Sequence, residues 1–144
     1  MWRRSDLWEP ATRKRGRNGD LRWPCPRWTH VPSLGHVYRG INAEDWQDLL
    51  DSGLIRTNKK LESSASFALT AAVALSYVQV GSDNPSRTGR SVYLLEVKRS
   101  SRMRKVRVAY DYLIADEPVP VSEIVRVFRF DSDGQVYQSH TLGL

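Results

Sequence analysis

The chain has 144 residues, with 22 Lys and Arg against 16 Asp and Glu and a formal net charge of +6. At that length one domain around one hydrophobic core is expected, and a hydrophobic fraction of 40 % excludes a chain disordered throughout. The single cysteine, Cys25, excludes an internal disulfide framework, and no group of Cys and His has metal-ligand spacing.

The longest near-apolar run, Phe67 to Val80, falls short of the roughly 20 residues that cross a bilayer. The amino terminus carries positive charge without the apolar stretch of a secretory signal. The expectation is no membrane contact and a cytoplasmic location, or delivery into a host cytoplasm as a toxin or phage effector would be.

Charge is uneven along the chain. Residues 1–31 hold eight Arg and Lys against three acids, which is +5 and leaves +1 for the remainder, so the basicity reads as that of a tail. Residues 1–35 also hold four of the five Trp residues and show no period of 2 or 3.6. They read as a basic extension, residues 1–35, preceding a domain of residues 36–144. Interleaved Trp and Arg suit contact with nucleic acid, by stacking on bases and pairing with phosphate. The competing reading is an arm that wraps its Trp residues onto the domain.

From His36 the texture changes. His36–Ile41 reads as a strand, and a helix begins at Asn42 or Ala43, with Trp46, Leu49 and Leu50 on one side and Glu44, Asp45, Asp48 and Asp51 on the polar side. Gly53 suits its C-cap. A short strand at Leu54–Arg56, a polar link through Lys60 and a strand around Ser66–Leu69 follow, and Thr70 then caps a helix from Ala71 to Gln79. Gly81–Arg90 reads as a loop, Ser91–Val97 and Lys105–Ala109 as strands, and Asp111–Pro120 as a connection. Glu123–Phe130 and Gln135–His140 flank Asp131-Ser-Asp-Gly134 as a hairpin, the first of them central because both its faces are apolar. Two early helices and then a run of strands predict an α+β fold.

Three places carry candidate chemistry. Arg39 shares a strand face with Val37 and Ile41, where a guanidinium needs a partner such as phosphate or must reach solvent at a strand end. Gly40 beside it lets a ligand approach the backbone. In Ser63–Tyr77, small residues leave room for a ligand and Tyr77, one turn after Ala74, offers an aromatic face for a planar ring; ordinary core packing is the alternative. Glu123 opens a strand, where its carboxylate can stabilise a developing sugar cation or pair with Arg126 or Arg129.

In this order the three segments resemble the ADP-ribosyltransferase superfamily. Tyr38-Arg-Gly40 is similar to the family's opening strand motif. Phe67, Ala68, Thr70, Ala74 and Tyr77 match the spacing of the poly(ADP-ribose) polymerase pattern Tyr-Phe-Ala-x-Ser-x-x-x-Ser-x-x-Tyr. Glu123-Ile-Val-Arg-Val is similar to the family's Glu-Tyr-Ile-Val. The departures are Ala74 where the family has Ser, Ser66 where it has a strand Tyr, and Val121 in place of the second acid of the arginine-modifying subclass.

The resemblance implies a split β-sheet sandwich with two main helices, with NAD as the substrate cofactor. Arg39 would lie by its pyrophosphate, with Gly40 and Tyr38 beside it in the cofactor-binding segment; Ser66 or Thr70 would supply a hydroxyl, Tyr77 would stack on nicotinamide, and Glu123 would be catalytic. It implies transfer of ADP-ribose to a protein or nucleic-acid acceptor. Three other readings stay open: an NAD glycohydrolase, an RNA 2′-phosphotransferase, and a non-catalytic nucleic-acid-binding module that works through residues 1–35.

Overall fold

The computed structural model describes residues 8–10, 29, 31–33, 35–56, 65–79, 85–107, 111–133 and 135–140. The link at 57–64 and most of residues 1–35 lie outside the described residues.

Strand β1 (Glu9–Pro10) is followed by β2 (His36–Ile41), helix α1 (Ala43–Ser52), β3 (Leu54–Ile55), β4 (Ala65–Ala68), helix α2 (Ala71–Gln79) and the single turn α3 (Pro85–Thr88). Then come β5 (Val92–Lys98), β6 (Met103–Arg107), β7 (Asp111–Ala115), β8 (Val119–Pro120), β9 (Ile124–Phe130) and β10 (Val136–His140). Eight strands form one sheet in the order β1-β10-β9-β5-β2-β4-β7-β6, and every neighbouring pair is antiparallel. Strands β3 and β8 make a separate two-stranded ribbon. The α+β expectation therefore stands. None of the described helices is long and apolar enough to cross a membrane.

Strand alternation sorts the core into two layers. On one face Val37, Ile41, Leu95, Val97 and Val127 pack with Trp46 and Leu49 of α1. On the other, Tyr38, Leu94 and Phe128 pack with Ala71, Ala74, Leu75 and Val78 of α2.

Local chemistry fixes both helices. The Asn42 side chain accepts from the Asp45 backbone N–H at 2.8 Å, with Glu44 and Asp45 in the first turn where the helix dipole favours acids. Gly53, at φ 72°, ends α1 by donating its N–H to Leu49 O at 2.8 Å. Thr70 Oγ1 accepts from Val73 N at 3.3 Å and begins α2. Asp48, expected on the polar side of α1, is only 8 % exposed and accepts two hydrogen bonds from Arg56, at 3.0 and 2.9 Å.

Several segments differ from expectation. Gly81–Arg90 holds the turn α3, and β6 begins at Met103, two residues before the strand expected at Lys105–Ala109. Asp111–Pro120 is not a connection: its first half is β7, paired to β4 through Phe67↔Leu113 and to β6 through Arg104↔Ile114. The turn residues Asp116-Glu-Pro obscured the apolar triplet Tyr112-Leu-Ile114 just before them. Glu123 does not open β9 but closes a 3-10 turn, Val121–Glu123, ahead of it.

The split at residue 35 is also not a structural boundary for the earliest described residues. Glu9 and Pro10 pair with Gln138 and Tyr137 of β10, and Trp8 packs 6.0 Å from Trp46 and 6.4 Å from Tyr93. Arg129 lies over the Trp8 ring at 5.0 Å. For Trp8, the reading that the arm wraps onto the domain is the one observed.

The tightest constraint is at Gly40. A Cβ built there would stand 2.5 Å from Ala74 O and 2.9 Å from Val78 Cγ2, so α2 lies on β2 only because residue 40 has no side chain. The close approach that Gly40 permits is thus that of a helix. We expect Gly40→Ala to cost about 1–3 kcal/mol, as overpacking does. Thermal denaturation would show this as a Tm loss of several degrees, and an unchanged Tm would contradict the contact.

Candidate functional site

Strands β2 and β4 share a single rung, Tyr38↔Ala68, whereas β2 and β5 are paired along all six residues of β2. Beyond that rung the ladder lapses, and a side chain takes its place: Arg39 Nη1 donates to the carbonyl oxygen of Ser66 at 2.8 Å. A cavity of about 540 Å³ opens at this point. Its lining comes from β2 (Tyr38 to Ile41), the start of α1 (Asn42, Asp45), β4 (Ser66 to Ala68), α2 (Val73, Ala74, Tyr77, Val78) and β7 (Tyr112, Ile114). Small-molecule sites typically span about 300–1,000 Å³.

Arg39 dominates the electrostatics. Its Nε is buried and has no hydrogen-bond partner. Burial pushes its pKa below the ordinary arginine value, and the negative charge of Asp45 pulls partly in the other direction. A desolvated guanidinium with an unused donor is suited to an anion with two or more oxygens. Tyr77 is 64 % exposed and lines the same cavity, so it is not core; Ala74, one turn earlier, is buried beneath it. An exposed aromatic ring beside small residues offers a face to a planar ligand.

Tyr38, only 3 % exposed, is held from the other side. Its hydroxyl donates to Glu96 Oε2 at 2.9 Å, and Arg126 reaches the same carboxylate, with Nε 3.3 Å from Oε1. Tyr38, Glu96 and Arg126 are cross-strand partners on β2, β5 and β9. One polar row thus runs across three strands and fixes the cavity wall.

Of the residues singled out from sequence, Tyr38, Arg39, Gly40, Ser66 and Tyr77 meet around this cavity. Thr70 serves as the cap of α2 and is not in the lining. Glu123 is also outside it: β5 and β2 stand between β9 and β4, and strands spaced about 4.8 Å apart set β9 about 10 Å to the far side of β2. Its suggested partners are engaged elsewhere, Arg126 with Glu96 and Arg129 with Asp131. Asn42, Asp45, Tyr112 and Ile114 were not foreseen. The sequence signal for the last two was the apolar triplet of β7.

No protein-family model matches the chain, and no curated protein does. Among solved structures, matches include the X-ray structure of protein CC0527 from Caulobacter crescentus and that of a double mutant of it, with TM-scores of 0.49 and 0.48. In both the identity is 15 %, over 70 % of this chain and 92 % of that one.

The Tyr38 row has a consequence for pH. Burial and, after it, the Glu96 charge raise the Tyr38 pKa well above the ordinary tyrosine value; Tyr93 is raised too, mainly by burial. The fold therefore favours the neutral phenol. Below about pH 10 folded and unfolded chains both hold that proton; above it only the unfolded chain ionises, and stability falls as pH rises. We expect a loss of about 1.4 kcal/mol per pH unit from Tyr38 above pH 10. Denaturant melts at pH 9, 10 and 11 would show a shallower decline in Tyr38→Phe, and parallel declines would refute the linkage.

Proposed function

We propose that the cavity binds NAD and that the protein transfers its ADP-ribose moiety to an acceptor. The observation that carries this reading is Arg39: a half-buried guanidinium at the mouth of a sheet split, with one donor spent on Ser66 O and another left without a partner. A pyrophosphate supplies what that group lacks. Tyr77 supplies a stacking face for a nicotinamide or adenine ring, and 540 Å³ is space for a ligand of that class. The antiparallel sheet that parts between β2 and β4, with a helix on each face, fits the split-sheet architecture that the sequence resemblance implied.

The reaction needs a carboxylate by the sugar. As the bond between C1 of the ribose and the nicotinamide nitrogen breaks, its electron pair leaves with nicotinamide and positive charge develops on the sugar, which a fixed negative charge stabilises. The acceptor then bonds to that carbon and loses its proton. Among the described lining residues the carboxylate is that of Asp45, and we assign it this role. Its charge also acts on Arg39, where it helps keep the guanidinium protonated.

The test is nicotinamide release from labelled NAD. Asp45→Asn should lower kcat by about 100-fold or more, as the loss of charge stabilisation in a transition state does. Arg39→Ala should weaken NAD binding about 10- to 100-fold, the scale of a charge-assisted hydrogen bond. Glu123→Gln should stay near wild type. Full activity in Asp45→Asn, with loss in Glu123→Gln, would return the role to Glu123; no turnover in the wild type under any condition would refute the reading.

A further inference from the structure

Residues 98–107 carry Lys98, Arg99, Arg102, Arg104, Lys105 and Arg107 and not one acid. They hold six of the fourteen bases found in residues 32–144 and none of the thirteen acids. The run is one contiguous stretch of chain, the end of β5, the turn at 99–102 and β6; β5 and β6 are not paired, and β6 is an edge of the eight-stranded sheet. Lys98, Arg99, Arg102, Arg104 and Lys105 are all exposed. Two acids face it from the turn after β7. Asp116 bonds Arg104 Nε at 2.9 Å, and Glu117 lies 3.7 Å from Arg102. Asp111, at the head of β7, is the register partner of Arg107. With these three acids counted, the ribbon still carries +3, while the rest of residues 32–144 has eight bases against ten acids.

Positive charge on an edge strand discourages edge-to-edge pairing of sheets, and one or two lysines suffice for that. Lys98 and Arg99 are outside β6, so they add nothing to that protection. The position of the ribbon points to a ligand instead. Ile114 of β7 lines the cavity and pairs on one side with Ser66, whose carbonyl holds Arg39, and on the other with Arg104. A row from Arg39 through Ser66 and Ile114 to Arg104 therefore leads from the cavity onto the basic ribbon, with about 10 Å between the backbones of Ser66 and Arg104. Exposed ion pairs such as Arg102 with Glu117 are worth about 0–1 kcal/mol, so a phosphate can take the place of the acid.

We propose that the β5–β6 ribbon docks the phosphate backbone of a single-stranded nucleic acid and delivers it to the cavity as the acceptor. Single strands fit because a group that must enter a cavity has to be free of pairing and stacking. The acceptor role rests on the NAD reading above; the docking role does not.

The experiment is fluorescence anisotropy with labelled single-stranded RNA and DNA oligonucleotides on the full chain, titrated from 50 to 200 mM salt. Binding should fall steeply with salt. The double substitution Lys98→Glu with Arg99→Glu should weaken it at least about tenfold and reduce the log–log salt slope by about 1.4, two contacts at about 0.7 each for single strands. Lys98→Ala with Arg99→Ala should give the same slope change if the charge reversals unfold the protein. Both variants should keep wild-type nicotinamide release into water while losing label transferred to the oligonucleotide.

An unchanged slope would overturn the proposal. So would loss of all binding on replacing Arg13, Lys14, Arg15 and Arg17 by Ala with the ribbon intact, or displacement of the oligonucleotide by an acidic peptide at equal charge. Ribbon-dependent binding without any NAD turnover would remove the transfer reading and leave the docking surface standing. A preference for RNA over DNA, or the reverse, would identify the strand.

Discussion

The structure turns on one substitution of a side chain for a backbone rung. Where β2 and β4 part after Tyr38↔Ala68, the sheet is bridged by Arg39 and not by a ladder of amides. A guanidinium has five N–H donors in a fixed fork, and a single carbonyl oxygen answers only part of that fork. Its Nε stays buried without a partner, which costs free energy whenever the cavity holds nothing better. A chain that needed only to close its sheet would do so with backbone amides. Arginine at this position makes sense if an anion completes the set, and the parting of the strands is then the site itself.

The two layers divide the labour around that point. On the α2 side Gly40 brings the helix so close that Ala74 forms a small floor and Tyr77 stands out above it. On the same face Tyr38 is tied through Glu96 to Arg126, which locks the wall of the cavity to the middle of the sheet. Glu96 is buried with two partners, so losing either one would leave a carboxylate without compensation. The α1 side supplies Asn42 and Asp45 from a first turn set by the helix cap, with Asp48 and Arg56 anchoring the far end of the helix. Rigid packing on both faces surrounds a gap that the backbone does not fill.

Much of this was legible in the sequence, for physical reasons that also explain the failures. Both helices follow from caps at Asn42, Gly53 and Thr70 and from the spacing of Trp46 and Leu49, signals local to a few residues. Arg39, Ser66 and Tyr77 could be brought together because each lies on a short segment with one orientation relative to its neighbours. Strand β7 was lost because three apolar residues are followed by Asp116-Glu-Pro, and a loop signal of that strength spreads backwards over a short strand. The role of Glu123 came from its likeness to the family's late-strand acid, a local match that carries no information on where β9 lies in the sheet order. The burial of Asp48 was equally hidden, since only the fold shows that Arg56 returns to it.

Averaging charge along a chain conceals local surfaces. Summed from residue 32 onward the chain is almost neutral, and that sum assigned the basicity to the tail. Segregation is what the sum removed: a ribbon of six bases set against a domain remainder in which acids exceed bases. The fold adds a second distinction. Glu9 and Pro10 lie on its β1 edge, and the β6 part of the ribbon lies on the opposite edge, seven strand spacings away. The β1 edge is also four strands from β2, while β6 is separated from β4, and so from the split, by β7 alone. A polyanion drawn to the β1 edge would gain nothing from the guanidinium in the split, whereas one lying along β6 would have Arg39 at the end of the same row of residues. Proximity to the unsatisfied cation, more than the amount of charge, is the ground on which we propose the ribbon as the docking surface.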